Sequence, residues 1–215
     1  MITPPTEESM ARTAAALQVL ASWVASPPTA ESLAVVRQQQ WLDGWPMEHT
    51  HVCRAGLDLL AKSAAEGEEE AAIRADHAGL VGGPGRVAVH PYESVHRSAE
   101  GLLFDEQTLE VRACYAEFGL AAPHRNRAPD DHLALELEFV STLASRWIDA
   151  EGTSERERIA DGIDGFLQLH LFQWAPHFFD ALGRAAGTHF YHGVALLGVD
   201  TLVQMGAGTR ESPAA

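Results

Sequence analysis

Ala128-Pro129-Asp130-Asp131-His132-Leu133 opens into LALELEFVSTLASRWIDA (133–150), and the reading of this stretch decides the fold. Leu133, Leu137, Val140, Ala144 and Trp147 recur at i, i+4, i+7, i+11 and i+14, one continuous apolar stripe at helical spacing. A helix striped in this way must lie on a core. Pro129 with Asp130 and Asp131 beside it, after the polar loop APHRNR (122–127), predicts the helix start there. Two carboxylates and an imidazole are then expected at the core's edge, within reach of a partner. Two readings of these acids stand side by side. Either Asp caps the helix, accepting a backbone N–H and complementing the dipole, or a partner uses it. His132 and Glu136, one turn apart, are also half of a metal site, with no third ligand near in sequence.

The chain has 215 residues, within the range of one domain with a single sizeable core. Its formal net charge of −15 repels nucleic acid and anionic membrane surfaces and attracts basic ligands. Cys53 and Cys114 lie far apart within helical patterns and form no CxxC, so metal, redox and disulfide readings are weak. The N-terminus has neither the basic nor the apolar region of an export signal, and no run reaches the length of a membrane span. A cytoplasmic protein with reduced thiols is expected, with peripheral membrane contact or none.

Outward from the striped helix, the rest of the chain is also helical. Residues 6–25 carry Met10, Ala14, Leu17, Ala21 and Val24 on one face. Pro27-Pro28 stops this helix, and Thr29 with Glu31 starts another running towards Leu42. QQQWLDGWPM (38–47) reads as a turn whose two tryptophans pack a helix junction. A third helix turns Val52, Gly56, Leu59 and Leu60 inward, and EGEEE (66–70) opens a fourth bearing Ile73, His77 and Leu80. From Val81 to Ala99 the glycines and prolines predict an irregular connection. Its GGPGR lacks the Lys-Ser/Thr of a phosphate loop, while Pro91, Tyr92 and Ser94 set an aromatic and a hydroxyl on a long connection of the kind that often functions.

Asp105 or Thr108 caps the next helix, with Val111, Tyr115 and Phe118 inward and Gly119 as its stop. Beyond the striped helix, Ile159, Ile163, Phe166, Leu167, His170 and Trp174 form a further stripe. Pro176 restarts the chain, with Phe178, Phe179, Leu182 and Ala186 following, and a last helix covers about 188–204. No alternating strand pattern appears. The chain is read as all-α: one globular multi-helix domain over 1–205, in helical parts 1–80 and 100–205 joined by 81–99, with a flexible tail at 206–215. His170, His177, His189 and His192 follow no metalloenzyme spacing, and His170 is expected as a buried, hydrogen-bonded imidazole. No nucleophile elbow and no recognisable Cys/His pair is visible, and no enzyme is expected.

The run PYESVHRSAEGLLFDEQTLEVRACYAEFGLAAPHRNRAPDDHLALELEFVSTLA (91–144) resembles the central region of the TorD/DmsD family of redox-enzyme maturation chaperones. FLQLHLFQWAPHFFDALGRAAGTHFYHGVALL (166–197) resembles that family's C-terminal helices. The resemblance covers about half the chain and implies an all-helical fold. It also implies a job: binding the twin-arginine signal peptide, or the apoprotein, of an exported molybdoenzyme until its cofactor is inserted. The family's Pro-x-Asp-His positions fall on Pro129, Asp131 and His132, with Asp130 between, and its Pro-aromatic-x-Ser on Pro91, Tyr92 and Ser94. In that reading Asp131 pairs with a leader arginine, Tyr92 packs on the apolar stretch or stacks on a guanidinium, and His132 orients Asp131 or bonds the peptide backbone. Weak guanine-nucleotide binding is implied for the family, with no cofactor otherwise, and the chain as a monomer or domain-swapped dimer. The other readings are a nucleotide-dependent maturation factor or enzyme, and a helical scaffold with no client.

Overall fold

The computed structural model describes residues 5–82, 86–123 and 128–209. Gly83, Pro84 and Gly85 of GGPGR, residues 124–127 of APHRNR, and the tail from 210 onward lie outside them. In chain order the helices are α1 (Glu7–Ala25), α2 (Ala30–Val36), α3 (Gln39–Asp43), α4 (His51–Ala65), α5 (Glu70–His77) and α6 (Glu93–Arg97). They continue with α7 (Glu106–Glu117), α8 (Leu133–Asp149), α9 (Thr153–Phe166), α10 (Phe172–Ala185) and α11 (His189–Thr209). Single π-helical turns, Ala78–Gly82 and Leu167–Leu171, follow α5 and α9. The fold is all-α, and among the described residues the sole β pairing is an isolated antiparallel bridge between Tyr92 and His132.

Local chemistry fixes the helix starts. Thr6 and Ser9 form a reciprocal capping box on α1, and the Thr29 and Thr50 hydroxyls accept the Ser32 and Cys53 N–H groups at α2 and α4. The stripe of α8 is buried as its spacing requires: Leu133, Leu137, Val140 and Ala144 are all 0% exposed. Helix α1 lies along α8, with the Ser141 hydroxyl donating to the Ala14 carbonyl at 2.9 Å. On the other side α4 and α10 pack on α11. Gly193 allows α4 and α11 to come together, since a Cβ there would stand 2.8 Å from the Gly56 carbonyl oxygen. Trp23, Trp41, Trp45 and Phe190 pack ring against ring at the junction of α1, α3 and α11.

Several local expectations shift. The helix begun at Thr29 breaks at Arg37–Gln38, and the tryptophan turn contains α3. Val52 is exposed and Leu59 half-buried, because the inward face of α4 is Cys53, Gly56, Leu57 and Leu60. The connection after Val81 holds a short helix, α6. Pro176 lies inside α10 rather than restarting the chain, just after a π turn has moved the hydrogen-bond ladder by one carbonyl. Helix α11 extends through Thr209, beyond the expected end at 204. Glu68 of the acidic run is more than dipole chemistry within its own helix: its carboxylate accepts the His189 and Phe190 N–H groups at the start of α11.

Candidate functional site

The two segments singled out in the sequence, 91–94 and 129–132, meet. The Glu93 N–H donates to the Asp131 carbonyl at 3.0 Å and the Leu133 N–H to the Pro91 carbonyl at 2.8 Å, which forms the Tyr92–His132 bridge. The Tyr92 and His132 rings meet edge to face, 5.1 Å between centroids. Helix α8 begins at Leu133, four residues after the proline, so neither Asp130 nor Asp131 caps it. Its cap is the His132 ring, whose Nδ1 accepts the Ala134 N–H at 3.1 Å. That acceptance requires Nδ1 unprotonated, and burial of the ring accordingly lowers its pKa to about 4.

Asp131 is 0% exposed and caps a different helix. One oxygen, Oδ2, accepts the Ser94 N–H at the start of α6 (2.7 Å), and the other accepts the Thr108 hydroxyl of α7 (2.7 Å). Asp130, 1% exposed, takes the Arg112 Nε–H on Oδ2 at 2.5 Å, and the Tyr115 hydroxyl donates to its carbonyl at 3.3 Å. These acids therefore lie inside the protein, not at an edge open to a partner. Each Asp131 oxygen already accepts one internal hydrogen bond, and neither is exposed to a partner in this conformation. Pro91, Ser94 and Pro129 are likewise buried, and of the seven residues only Tyr92 and His132 are half-buried.

Two more acids join them. Glu93, 0% exposed, pairs with Arg97 one turn on and holds His170 Nδ1 at 2.9 Å from Oε2. Glu136, also 0% exposed, accepts the Trp174 indole N–H at 3.2 Å. Burial first, and the Glu93 charge second, push the Glu136 carboxyl well above the usual range. Among the described residues, Asp130 Oδ1, Glu136 Oε1 and the Ser94 hydroxyl have no hydrogen-bond partner. Burial disfavours a charged His170, yet its contacts with Cys114 and Glu93 outweigh that and raise its pKa to about 9. His170 is thus the buried, bonded imidazole its place on an apolar stripe predicts. Among the described residues no three His, Cys, Asp or Glu side chains are grouped to hold a metal, and His132 and Glu136 are taken up by Ala134 and Trp174.

The buried network ties down an exposed apolar run that the sequence reading passed over. Leu102, Leu103 and Phe104 are 53%, 47% and 51% exposed on the α6–α7 connection. The Leu102 N–H is fixed on the Ser98 hydroxyl at 3.0 Å, and Thr108 holds the other end on Asp131. Phe104 has φ 63°, a left-handed backbone that a non-glycine residue adopts only when its surroundings impose it. Leu109 on α7 and Leu169 on the second π turn are 61% and 65% exposed, and Arg97 Nη1 holds the Leu169 carbonyl at 2.8 Å. Three consecutive large apolar residues between helices were the available signal. Glu93 had one too, in its i, i+4 spacing with Arg97.

Comparison with known proteins fits this arrangement. Residues 50–180 match the family described as the nitrate reductase delta subunit. The chain is 31% identical over 107 residues to the chaperone protein TorD of Vibrio parahaemolyticus, a match spanning 50% of each chain. It is 32% identical over 149 residues to the TorD of Aeromonas salmonicida, covering 66% of this chain and 63% of that one. It is also 27% identical over 181 residues to the Tat proofreading chaperone DmsD of Salmonella typhi, covering 83% of this chain and 79% of that one. No helix among the described residues is long and apolar enough to cross a membrane. With more than half its length matched, the chain belongs to the nitrate reductase delta subunit family, that of the TorD and DmsD chaperones.

Proposed function

We propose that this protein is a cytoplasmic chaperone rather than an enzyme. In this reading it binds the twin-arginine signal peptide or the apoprotein of a molybdenum-containing oxidoreductase and assists cofactor insertion before export. The observation that carries the proposal is the exposed run Leu102-Leu103-Phe104, pinned at both ends, on a chain of net charge −15. A leader combines two arginines with an apolar stretch, and both needs are met here. Leu102, Leu103, Phe104, Leu109 and Leu169 take the apolar stretch, and the exposed carboxylates Glu100, Glu106 and Glu110 take the arginines. Tyr92 and His132 contribute ring edges, while Pro91, Ser94, Pro129, Asp130 and Asp131 hold the surface in shape from beneath.

The energetics favour this division. An exposed ion pair contributes only about 0.2–1 kcal/mol. Apolar burial contributes roughly 25 cal/mol per Å², so the affinity rests on the leucines and phenylalanine. The test is titration of a labelled molybdoenzyme leader peptide, followed by fluorescence anisotropy. Saturable binding is expected, weakened when the two arginines become glutamine and weakened further when the apolar stretch becomes serine. No binding to any such leader, and none to a client apoprotein, would overturn the proposal. Guanine nucleotide is proposed only as a weak ligand, read by whether GTP shifts the same isotherm.

A further inference from the structure

Buried beneath α7 is a second constellation that leader binding does not use. Cys114, half-buried on α7, has its Sγ 3.8 Å from His170 Nε2. His170, 3% exposed, turns its other nitrogen to Glu93 Oε2 at 2.9 Å, and Glu93 is anchored in turn by Arg97. Thiol, imidazole and carboxylate thus stand together: a nucleophile, a protonated imidazole within reach of its sulfur, and an acid that orients the ring. The sequence hid this, because the three residues come from α6, α7 and a π turn, and 56 positions separate the cysteine from its histidine. The π turn takes part in placing the imidazole, since His170 lies within it.

We propose that Cys114 is a nucleophilic thiol, activated by His170 and Glu93, that exchanges with low-molecular-weight disulfides of the glutathione class. In the exchange the Cys114 proton leaves to solvent, the protonated His170 steadies the sulfur through its Nε2–H, and the sulfur attacks one sulfur of the disulfide. The disulfide S–S bond breaks, a mixed disulfide forms on Cys114, and the leaving thiolate takes up a proton from solvent. No oxidant other than the disulfide is needed, and a second thiol reverses the step. The charged groups next to the pair are Glu93, on His170 Nδ1, and Arg97, which pairs with Glu93 and holds the Leu169 carbonyl.

Cys53 supplies an internal control. It is 0% exposed, and burial together with the Asp200 charge pushes its thiol up to about 11, which makes it inert. The test treats the full chain at pH 7 with iodoacetamide, and separately with oxidised glutathione, and maps both cysteines by mass spectrometry. The expected result is alkylation of Cys114 roughly ten-fold faster in the folded protein than in the urea-unfolded chain, with a glutathione adduct on Cys114 and none on Cys53. His170→Gln should bring the folded rate down to the unfolded one, and Cys114→Ser should abolish the adduct. The unfolded-chain comparison needs no variant, so a His170→Gln protein that fails to fold leaves the test intact. Folded Cys114 reacting no faster than unfolded Cys114 would overturn the proposal.

Discussion

Two helix starts in this molecule, those of α6 and α11, are capped by carboxylates from distant segments, and they are built differently. At α11, Asp76 accepts the Gly187 and Thr188 N–H groups and the Thr188 hydroxyl, while Glu68 accepts the His189 and Phe190 N–H groups. Every bond there serves the helix. Burial opposes the charge on Glu68, but the His189 and Phe190 N–H groups hold its carboxyl below the usual range. At α6, Asp131 also accepts a helix N–H, yet Glu93, Asp130 and Glu136 are buried around it, and among the described residues Asp130 Oδ1 and Glu136 Oε1 have no partner. Capping alone does not call for so many buried acids. The difference separates a region built for stability from one whose polar interior, in the proposed function, holds the binding surface.

The contrast can be broken most forcefully at Asp131. Asp131→Ala strands the buried Ser94 N–H and frees the Thr108 hydroxyl, for an expected loss of about 3 kcal/mol in urea unfolding. Loss of leader binding with an unchanged unfolding midpoint would instead return Asp131 to direct contact.

A smaller effect is expected from pH. His170 binds its proton more tightly in the folded chain, so its contribution is full below its ordinary value of 6.5 and is lost as pH rises through about 9. Between pH 7 and pH 9 this amounts to about 2 kcal/mol, read as a falling melting temperature that is absent in His170→Gln. Glu68 and His132 act at the other end. The depressed Glu68 loses its contribution as pH falls through its folded value, and the neutral His132 loses its own as pH falls from 6.5 towards about 4.

Asp76→Ala removes a cap from the α11 start and should lower stability by roughly 1–2 kcal/mol with leader binding intact. Smallest is Glu136→Gln. Burial opposes charge on Glu136, and Gln keeps an acceptor for the Trp174 N–H, so this neutral isostere should change unfolding by less than about 1 kcal/mol. A loss as large as that of Asp131→Ala would mean that Glu136 carries charge after all.

The helices were legible because their period is local. Leu133 to Trp147 predicts α8 and its buried face, and Thr6 and Thr29 mark starts that the structure keeps. The pairing of 91–94 with 129–132 was accessible only through family resemblance, because one isolated bridge leaves no alternating pattern. The roles of the acids were not legible. A proline followed by two aspartates reads as a cap, and nothing local tells that the chain stays extended to His132 or that Asp131 caps α6 across the fold. Cys114, His170 and Glu93 were hidden for the same reason. Residues from three elements meet only after packing.

The central claim is that buried acids shape the surface while exposed leucines and phenylalanine bind. Its most direct test is one leader-peptide titration on wild type, on a Leu102→Ser, Leu103→Ser, Phe104→Ser triple variant, and on Asp131→Asn, each with its melting curve. The triple variant is predicted to melt like wild type and to bind at least about ten-fold more weakly, since losing even part of that apolar burial exceeds 1.4 kcal/mol. Asp131→Asn is predicted to melt lower and, where still folded, to bind like wild type. The reverse pattern, with wild-type binding by the triple variant and binding lost in a stably folded Asp131→Asn protein, would contradict the account.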